Sequence, residues 1–380
     1  MLPVGFAAFL AFGVVLVLVG ANQAELAAAL HMDLASSGLL GAAVALGAGT
    51  GVTAAGPLVD RLPRRPLFVA ALLVAAFALL TIHPGVGYWR AFGHLVLLGA
   101  GAGFYDTLLN AVVIQDGGTR ASRPLALLHS GATAGAVAGP PLIGWLAGLG
   151  DWTWSFHATG AAFLLLALWA AMVPLPPPAI RSAARAGGGN GGGRLLTLPL
   201  LALAVIGFAY VGVETAVTLF AVPWADGLLG QDPARGRTAI SVFWLGLLAG
   251  RLAMLALRRG LGTRFLAAAG VASAAIFGTA VTVNTPSLEA ATFAGGLALG
   301  AVYPVMIALA GDRFPFASGT AAGLVAGAGA FGGFVVPWLT GALGDGMGLA
   351  AGLATLAGWC LLITGAALVL SRLSAATSPP

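Results

Sequence analysis

The chain has 380 residues, 59% of them hydrophobic and 8% charged, with a mean hydropathy of +0.99. A soluble domain carries about a quarter charged residues, so a fully water-facing surface is excluded and lipid must be the solvent. The net charge of +5 comes from 17 Arg and no Lys, dispersed over short connections, which speaks for membrane topology and against a nucleic-acid partner.

The apolar runs reach 20 residues or more and do not alternate, so helices and not barrel strands are expected to satisfy the backbone. Twelve helices are predicted, at 3–30, 37–59, 66–84, 87–113, 125–149, 153–174, 196–225, 237–258, 263–283, 286–311, 319–343 and 349–372. The first has no basic segment before it and runs to about His31, which reads as a retained helix and not a cleaved signal. Between the sixth and seventh, Pro174-Leu175-Pro176-Pro177-Pro178 leads through Arg181 and Arg185 into the run Gly187–Gly193. This Pro/Gly-rich stretch, 175–195, reads as a flexible linker. It divides the chain into an N-terminal six-helix bundle, 1–174, and a C-terminal one, 196–380. Cys360 is the single cysteine, so neither an intrachain disulfide nor a cysteine metal site can form.

Orientation follows from Arg. With both termini in the cytoplasm, fourteen Arg fall inside and only Arg90, Arg235 and Arg237 outside, as the positive-inside bias requires. Trp89, Trp152, Trp154 and Trp224 then fall at the outer interface, where an aromatic belt is expected. The two halves echo each other. Val19-Gly20-Ala21-Asn22 matches Val211-Gly212-Val213-Glu214, and Pro140-x-x-x-Gly144 matches Pro337-x-x-x-Gly341. Parallel repeats with a midplane site between them are a transporter architecture.

Between helices 2 and 3 stands Gly56-Pro57-Leu58-Val59-Asp60-Arg61-Leu62-Pro63-Arg64-Arg65. It resembles the loop motif of the major facilitator superfamily, Gly-x-Leu-x-Asp-Arg-x-Gly-Arg-Arg, with Pro63 where the family has its second Gly. The resemblance implies an all-α membrane fold of two six-helix bundles related by pseudo-two-fold symmetry, working by alternating access as a monomer in the inner membrane. Gly56 would let helix 2 approach a neighbour closely. Asp60 could cap a helix N-terminus or pair with Arg, and with Arg61, Arg64 and Arg65 it would close the cytoplasmic side. Asp116…Arg120 after helix 4 and Asp312-Arg313 after helix 10 resemble a mirrored pair of gate elements.

Within that superfamily, Gly103-Phe104-Tyr105-Asp106-Thr107-x-x-Asn110, Tyr210-Val211-Gly212-Val213-Glu214 and Phe243-Trp244-x-Gly246…Gly250-Arg251 resemble the fucose and glucose/galactose permeases, which are proton-linked sugar symporters. A proton gradient would then be the driving force, with no cofactor. Asp106 lies near the middle of helix 4, where a charge costs at least ~2.5 kcal/mol. It is the first candidate for proton coupling, with Asn110 one turn on; a plain helix–helix hydrogen-bond pair is the alternative. Glu214 is the second candidate, its repeat mate being neutral Asn22; the alternative is a stabiliser of a helix break. Glu25 is expected nearer the interface. For a small polar solute such as a sugar, Asn22, Gln23, Asn110, His129, Tyr210, Glu214, Trp244 and Tyr303 offer hydroxyl-binding groups and aromatic faces; the alternative for each aromatic is packing, and for His129 a gate or interfacial role. Arg251, in helix 8, calls for a partner: near the cytoplasmic half it could snorkel, or pair with an acidic group in the cavity.

Other classes have weaker support. Gly135-x-x-x-Gly139-Pro140-Pro141-Leu142-Ile143-Gly144 partly resembles the helix 5 motif of proton-linked drug exporters, and export of a lipophilic compound is the second reading; small residues that let helices pack explain it as well. No phosphate-binding Gly-x-x-x-x-Gly-Lys loop exists. The five His (31, 83, 94, 129, 157) lack metal-ligand spacing, which argues against a membrane enzyme. No pore loop or charge ring suggests a channel.

Overall fold

The computed structural model describes residues 1–117, 122–177, 197–256, 261–283, 287–314 and 318–377. Among these the regular structure is helical throughout, in the order α1 Leu2–Ala21, α2 Gln23–Leu30, α3 Leu34–Val59, α4 Arg64–Leu80, α5 Tyr88–Gly117, α6 Ser122–Leu149, α7 Thr153–Met172, α8 Leu198–Pro223, α9 Pro233–Ala256, α10 Thr263–Thr282, α11 Leu288–Leu299, α12 Val302–Arg313, α13 Ser318–Met347 and α14 Leu349–Thr377. Among the described residues, eleven segments are long and apolar enough to cross a membrane, α11 and α12 together making one of them. Of the two helices left over, α2 has eight residues and continues α1 beyond Asn22, while α4 has 17, which rise about 26 Å, close to the thickness of a bilayer core. The all-α fold with twelve crossings is therefore the observed one.

Two expected continuous helices are broken instead. The first kinks at Asn22, whose φ and ψ are −98° and 14°. Its side-chain amide donates to the Leu18 carbonyl at 2.8 Å, which also accepts the Asn22 backbone N–H at 3.3 Å. A side chain competing for a helical carbonyl bends the helix. The tenth breaks at Gly300–Ala301, between α11 and α12. Pro304 follows Gly300 by four residues. It has no N–H to give the Gly300 carbonyl, and its ring crowds that oxygen. By contrast, α8 runs unbroken through Glu214 and ends in one π-helical turn, Trp224–Leu228. Glu214 is thus not a helix-break residue.

Contacts divide the chain into two units, Met1–His31 with Ala43–Asn190, and Met32–Ala42 with Gly191–Pro380. Residues 32–42, placed by sequence in the first half, group with the second unit. In the first unit α1 packs on α6 and α4 on α7, and α3 meets α5 through glycines. In the second unit α8 packs on α13, α9 on α11 and α10 on α14. Counting crossings within each half, both units pair first with fifth, second with fourth and third with sixth. The same nested pairing twice in one chain is what duplication predicts.

The second-with-fourth seams also share their chemistry. A methyl group added at Gly47 or Gly51 of α3 would overlap the Val96 and Ala100 carbonyls of α5. One added at Gly99 or Gly103 would overlap the Val44 and Ala48 carbonyls of α3. In the second unit Gly246 and Gly250 of α9 meet the Phe293 and Leu297 carbonyls, while Gly296 and Gly300 meet those of Phe243 and Leu247. Four glycine pairs at i, i+4 spacing let two backbones touch directly, the means by which helices associate in lipid. Gly56 does not share this role. A methyl there would have no neighbour within 4 Å, because five residues past Gly51 is the opposite face of α3.

The four Trp expected at the outer interface differ in exposure. Trp89 and Trp154 are exposed, but Trp224 is fully buried and Trp152 packs on Phe156 at 5.2 Å. Hydropathy alone does not tell an interfacial Trp from a core one.

Candidate functional site

In the first unit, α5 turns one face into an aromatic core. Tyr105 is fully buried against Phe12, Phe68 and Phe163, and its hydroxyl donates to the Ala8 carbonyl at 3.1 Å. Asp106 is the next residue, 100° further round the helix, and stays only half-buried. Asn110 Nδ2 donates to its Oδ1 at 3.1 Å. Among the described residues no cation forms an ion pair with Asp106. The buried Asn110 Oδ1 finds no donor. A carboxylate and an amide oxygen thus stand one turn apart, both able to accept from hydroxyls.

The other first-unit candidates differ in character. Asn22 is fully buried, and its amide is engaged by the Leu18 carbonyl and by Ser155 of α7, with Nδ2 donating to Ser155 Oγ at 3.0 Å and Ser155 Oγ lying 3.3 Å from Oδ1. It staples the kink to α7, and its full burial keeps it from a solute. Gln23 is 2% exposed and its Oε1 is without a donor. His129 is exposed, and its ring meets Phe9 edge-on at 4.9 Å. Asp106 with Asn110 is the only candidate set that this unit brings together through a described hydrogen bond.

The second unit gathers more. Tyr210 donates its hydroxyl to Glu214 Oε2 at 2.6 Å, one turn along α8. Arg251 Nη2, from α9, lies 3.4 Å from the Tyr210 hydroxyl and 4.0 Å from Glu214 Oε2. Of the two readings of Arg251, the structure has the acidic one within reach, with Glu214 as the group. Arg251 Nε donates to the Gly300 carbonyl at 3.3 Å, the oxygen left without a helical donor by Pro304. Tyr303, half-buried on α12, places its ring 5.9 Å from that of Tyr210. Trp244 is 5% exposed and its indole N–H donates to Thr218 Oγ1 at 3.3 Å, while Thr218 donates to the Glu214 carbonyl at 2.8 Å. Its ring is packed between α8 and α9 and so is a wall, not an open face. Sequence reading named Tyr210, Glu214, Trp244, Tyr303 and Arg251 separately. It missed Gly300 with Pro304, although a proline four residues after a glycine is a readable signal.

The α3–α4 turn is ordered by one Arg. Arg64 is 3% exposed; its Nε donates to the Val59 carbonyl at 3.3 Å and its Nη1 to Gln115 Oε1 of α5. Gln115 Nε2 in turn reaches the Pro177 carbonyl at 3.3 Å. Asp60, Arg61 and Arg65 are exposed. Pro63, standing at the motif's glycine place, caps α4 with φ −56° and ψ 123°. That backbone has negative φ, so no glycine is needed and proline fits. Asp116 is exposed near the end of α5, while Arg120 lies outside the described residues. Asp312 is exposed and Arg313 half-buried at the end of α12.

Among curated proteins none matches the chain in sequence. Solved structures share its fold. A bacterial homologue of the human lysosomal transporter Spinster is 14% identical, with 98% of this chain and 96% of that chain covered and a TM-score of 0.80. A D-xylose–proton symporter is 16% identical, with 97% and 96% covered and a TM-score of 0.78. The nucleoside transporter NupG is 15% identical, with 98% of each chain covered and a TM-score of 0.72. The family model described as Major Facilitator Superfamily matches residues 4–285. That span includes the α3–α4 motif, Asp106 and the Tyr210–Glu214–Arg251 cluster, and it shows that this chain, a transporter and not an enzyme, belongs to the Major Facilitator Superfamily.

Proposed function

We propose that the protein is a proton-coupled secondary transporter that takes up a small polar solute such as a sugar. It would sit in the inner membrane with both termini cytoplasmic, driven by the proton gradient without a cofactor. The observation that carries this reading is Asp106, a half-buried carboxylate within an apolar helix, with no Arg beside it among the described residues and an amide one turn away. An ionised group held that way is costly in lipid, and a proton relieves the cost. Asp106 is therefore the coupling residue, and the acceptor oxygens of Asp106 and Asn110 suit solute hydroxyls. Tyr210, Glu214 and Tyr303 supply the corresponding polar and aromatic groups in the second unit, with Glu214 a second coupling carboxylate. Export has less support, because Gly135 packs its face against the Leu10 carbonyl and Gly13 of α1, so helix packing accounts for it.

The test is uptake into liposomes from a panel of labelled hexoses and pentoses under an imposed pH gradient. Asp106→Asn should lose proton-driven accumulation while keeping solute exchange across the membrane. Full accumulation by that variant would remove Asp106 from coupling. Lipophilic cations driving proton release, with no response to any sugar, would favour export instead.

A further inference from the structure

We propose that Arg251 is a positioning residue that ties the charge of Glu214 to the break between α11 and α12. The inference builds on the assignment of Glu214 to coupling. Its geometry lies within the second unit. Gly300 caps the end of α11 at the break, and its carbonyl has lost the helical donor that position 304 would supply, because that residue is proline. Arg251 Nε stands in for it at 3.3 Å. The same guanidinium reaches the Tyr210 hydroxyl and Glu214 through Nη2. One side chain therefore links a carboxylate on α8 to an orphaned carbonyl between α11 and α12. The close seam of α9 on α11, where Gly250 and Gly300 meet, puts Arg251 within reach of that carbonyl.

When Glu214 is ionised it shares the guanidinium with the Gly300 carbonyl. When Glu214 takes a proton from water it becomes a neutral acid, and Arg251 keeps its charge. The guanidinium then loses the pull of the Glu214 charge, and its bond to the Gly300 carbonyl tightens. Among the described residues, Tyr210, Arg251 and, beyond Arg251, Tyr303 are the titratable groups around Glu214. Among the described residues α13 and α14, also packed on α8, bring no titratable group against it. Protonation is thereby passed to the one point in the tenth crossing where the backbone can bend.

Hydrogen–deuterium exchange on the full chain in lipid nanodiscs tests this without any solute. Amides of 299–307 are followed across pH after correction for intrinsic exchange. In the unaltered chain they should become more protected as the pH falls through the titration of Glu214. Glu214→Gln should hold the protected state at every pH. Arg251→Gln should exchange about tenfold faster there, the scale of one charge-assisted hydrogen bond, and lose the pH dependence. Adding Pro304→Ala to Arg251→Gln restores an N–H to the ladder and should recover protection. Protection that ignores pH in the unaltered chain would leave Arg251 a static cap and overturn the proposal, as would a double variant that stays as fast as Arg251→Gln. The Glu214→Gln arm keeps the test decisive if Arg251 variants fail to fold. Because no gradient or substrate is used, this result is independent of the Asp106 transport assay.

Discussion

Asp33 shows how much one side chain can settle at the start of a helix. It precedes α3 and accepts from the Ser36 N–H at 2.8 Å, while its own carbonyl accepts from Ser37. The Ser36 hydroxyl and backbone bonds hold its carboxyl below the ordinary carboxylate range. A carboxyl lowered in the folded state adds stability that is present above its unfolded value and is lost as pH falls through the folded one. Asp33→Ala should therefore cost about 1 kcal/mol at neutral pH, the usual loss of a helix cap. The difference from the unaltered chain should vanish in acid. Thermal unfolding in detergent over a pH series measures it; a gap that persists at the acid end would contradict the assignment. Asn22 makes the same point from the other side. It looked like a ligand because it is a polar residue in an apolar helix, yet its amide already donates to Ser155, 133 residues away.

At the scale of elements, close approach and not propensity decides which helices touch. The glycines of α3 and α5 face each other in reciprocal pairs, whereas Gly56 faces open space. Gly51→Leu should destabilise the protein by about 1–3 kcal/mol through overpacking, and Gly56→Leu should change stability by no more than about 0.5 kcal/mol. Melting of both purified variants would show equal losses if the seam were unimportant. The start of α3 adds a second device. The Leu34 and Ala35 N–H groups donate to Asp345 Oδ1 and Oδ2 at 2.9 and 2.8 Å, and a methyl at Gly341 would overlap the Leu34 carbonyl. With Asp33 on the Ser36 N–H, the first three amides of α3 are met by two carboxylates, as a positive helix terminus favours. This gives Gly341 of the Pro337-x-x-x-Gly341 echo a packing role.

For the whole molecule, the distribution of Arg yields a topology that can be tested chemically. Cys360 is fully buried, so it should not react with a membrane-impermeant maleimide and leaves a clean background. A cysteine replacing exposed Arg61 should label only when the cytoplasmic face is opened. One replacing exposed Trp89 should label in intact cells. Labelling of both from the outside would overturn the orientation. The duplicated pairing of crossings, found separately in each unit, supplies two similar scaffolds with unlike polar centres: a lone carboxylate with an amide in one, and a carboxylate with Tyr and Arg in the other.

The sequence by itself determined the solvent, the helical class, the number of crossings and the family, because each depends on local composition and on spacing along the chain. Lipid demands about 20 apolar residues per crossing, and the α3–α4 motif is contiguous. It also picked out Asp106 and Asn110, because i, i+4 neighbours share a helix face. Only the tertiary structure decided which polar residues were already spoken for. Ser155 takes up Asn22, Thr218 takes the Trp244 indole, and Gln115 takes Arg64; each partner lies on a different helix. It also showed what the Pro304 break accomplishes. A proline that orphans a carbonyl is visible in one dimension, but the Arg251 that answers it lies 49 residues away in the chain and arrives only when α9 and α11 pack glycine to glycine.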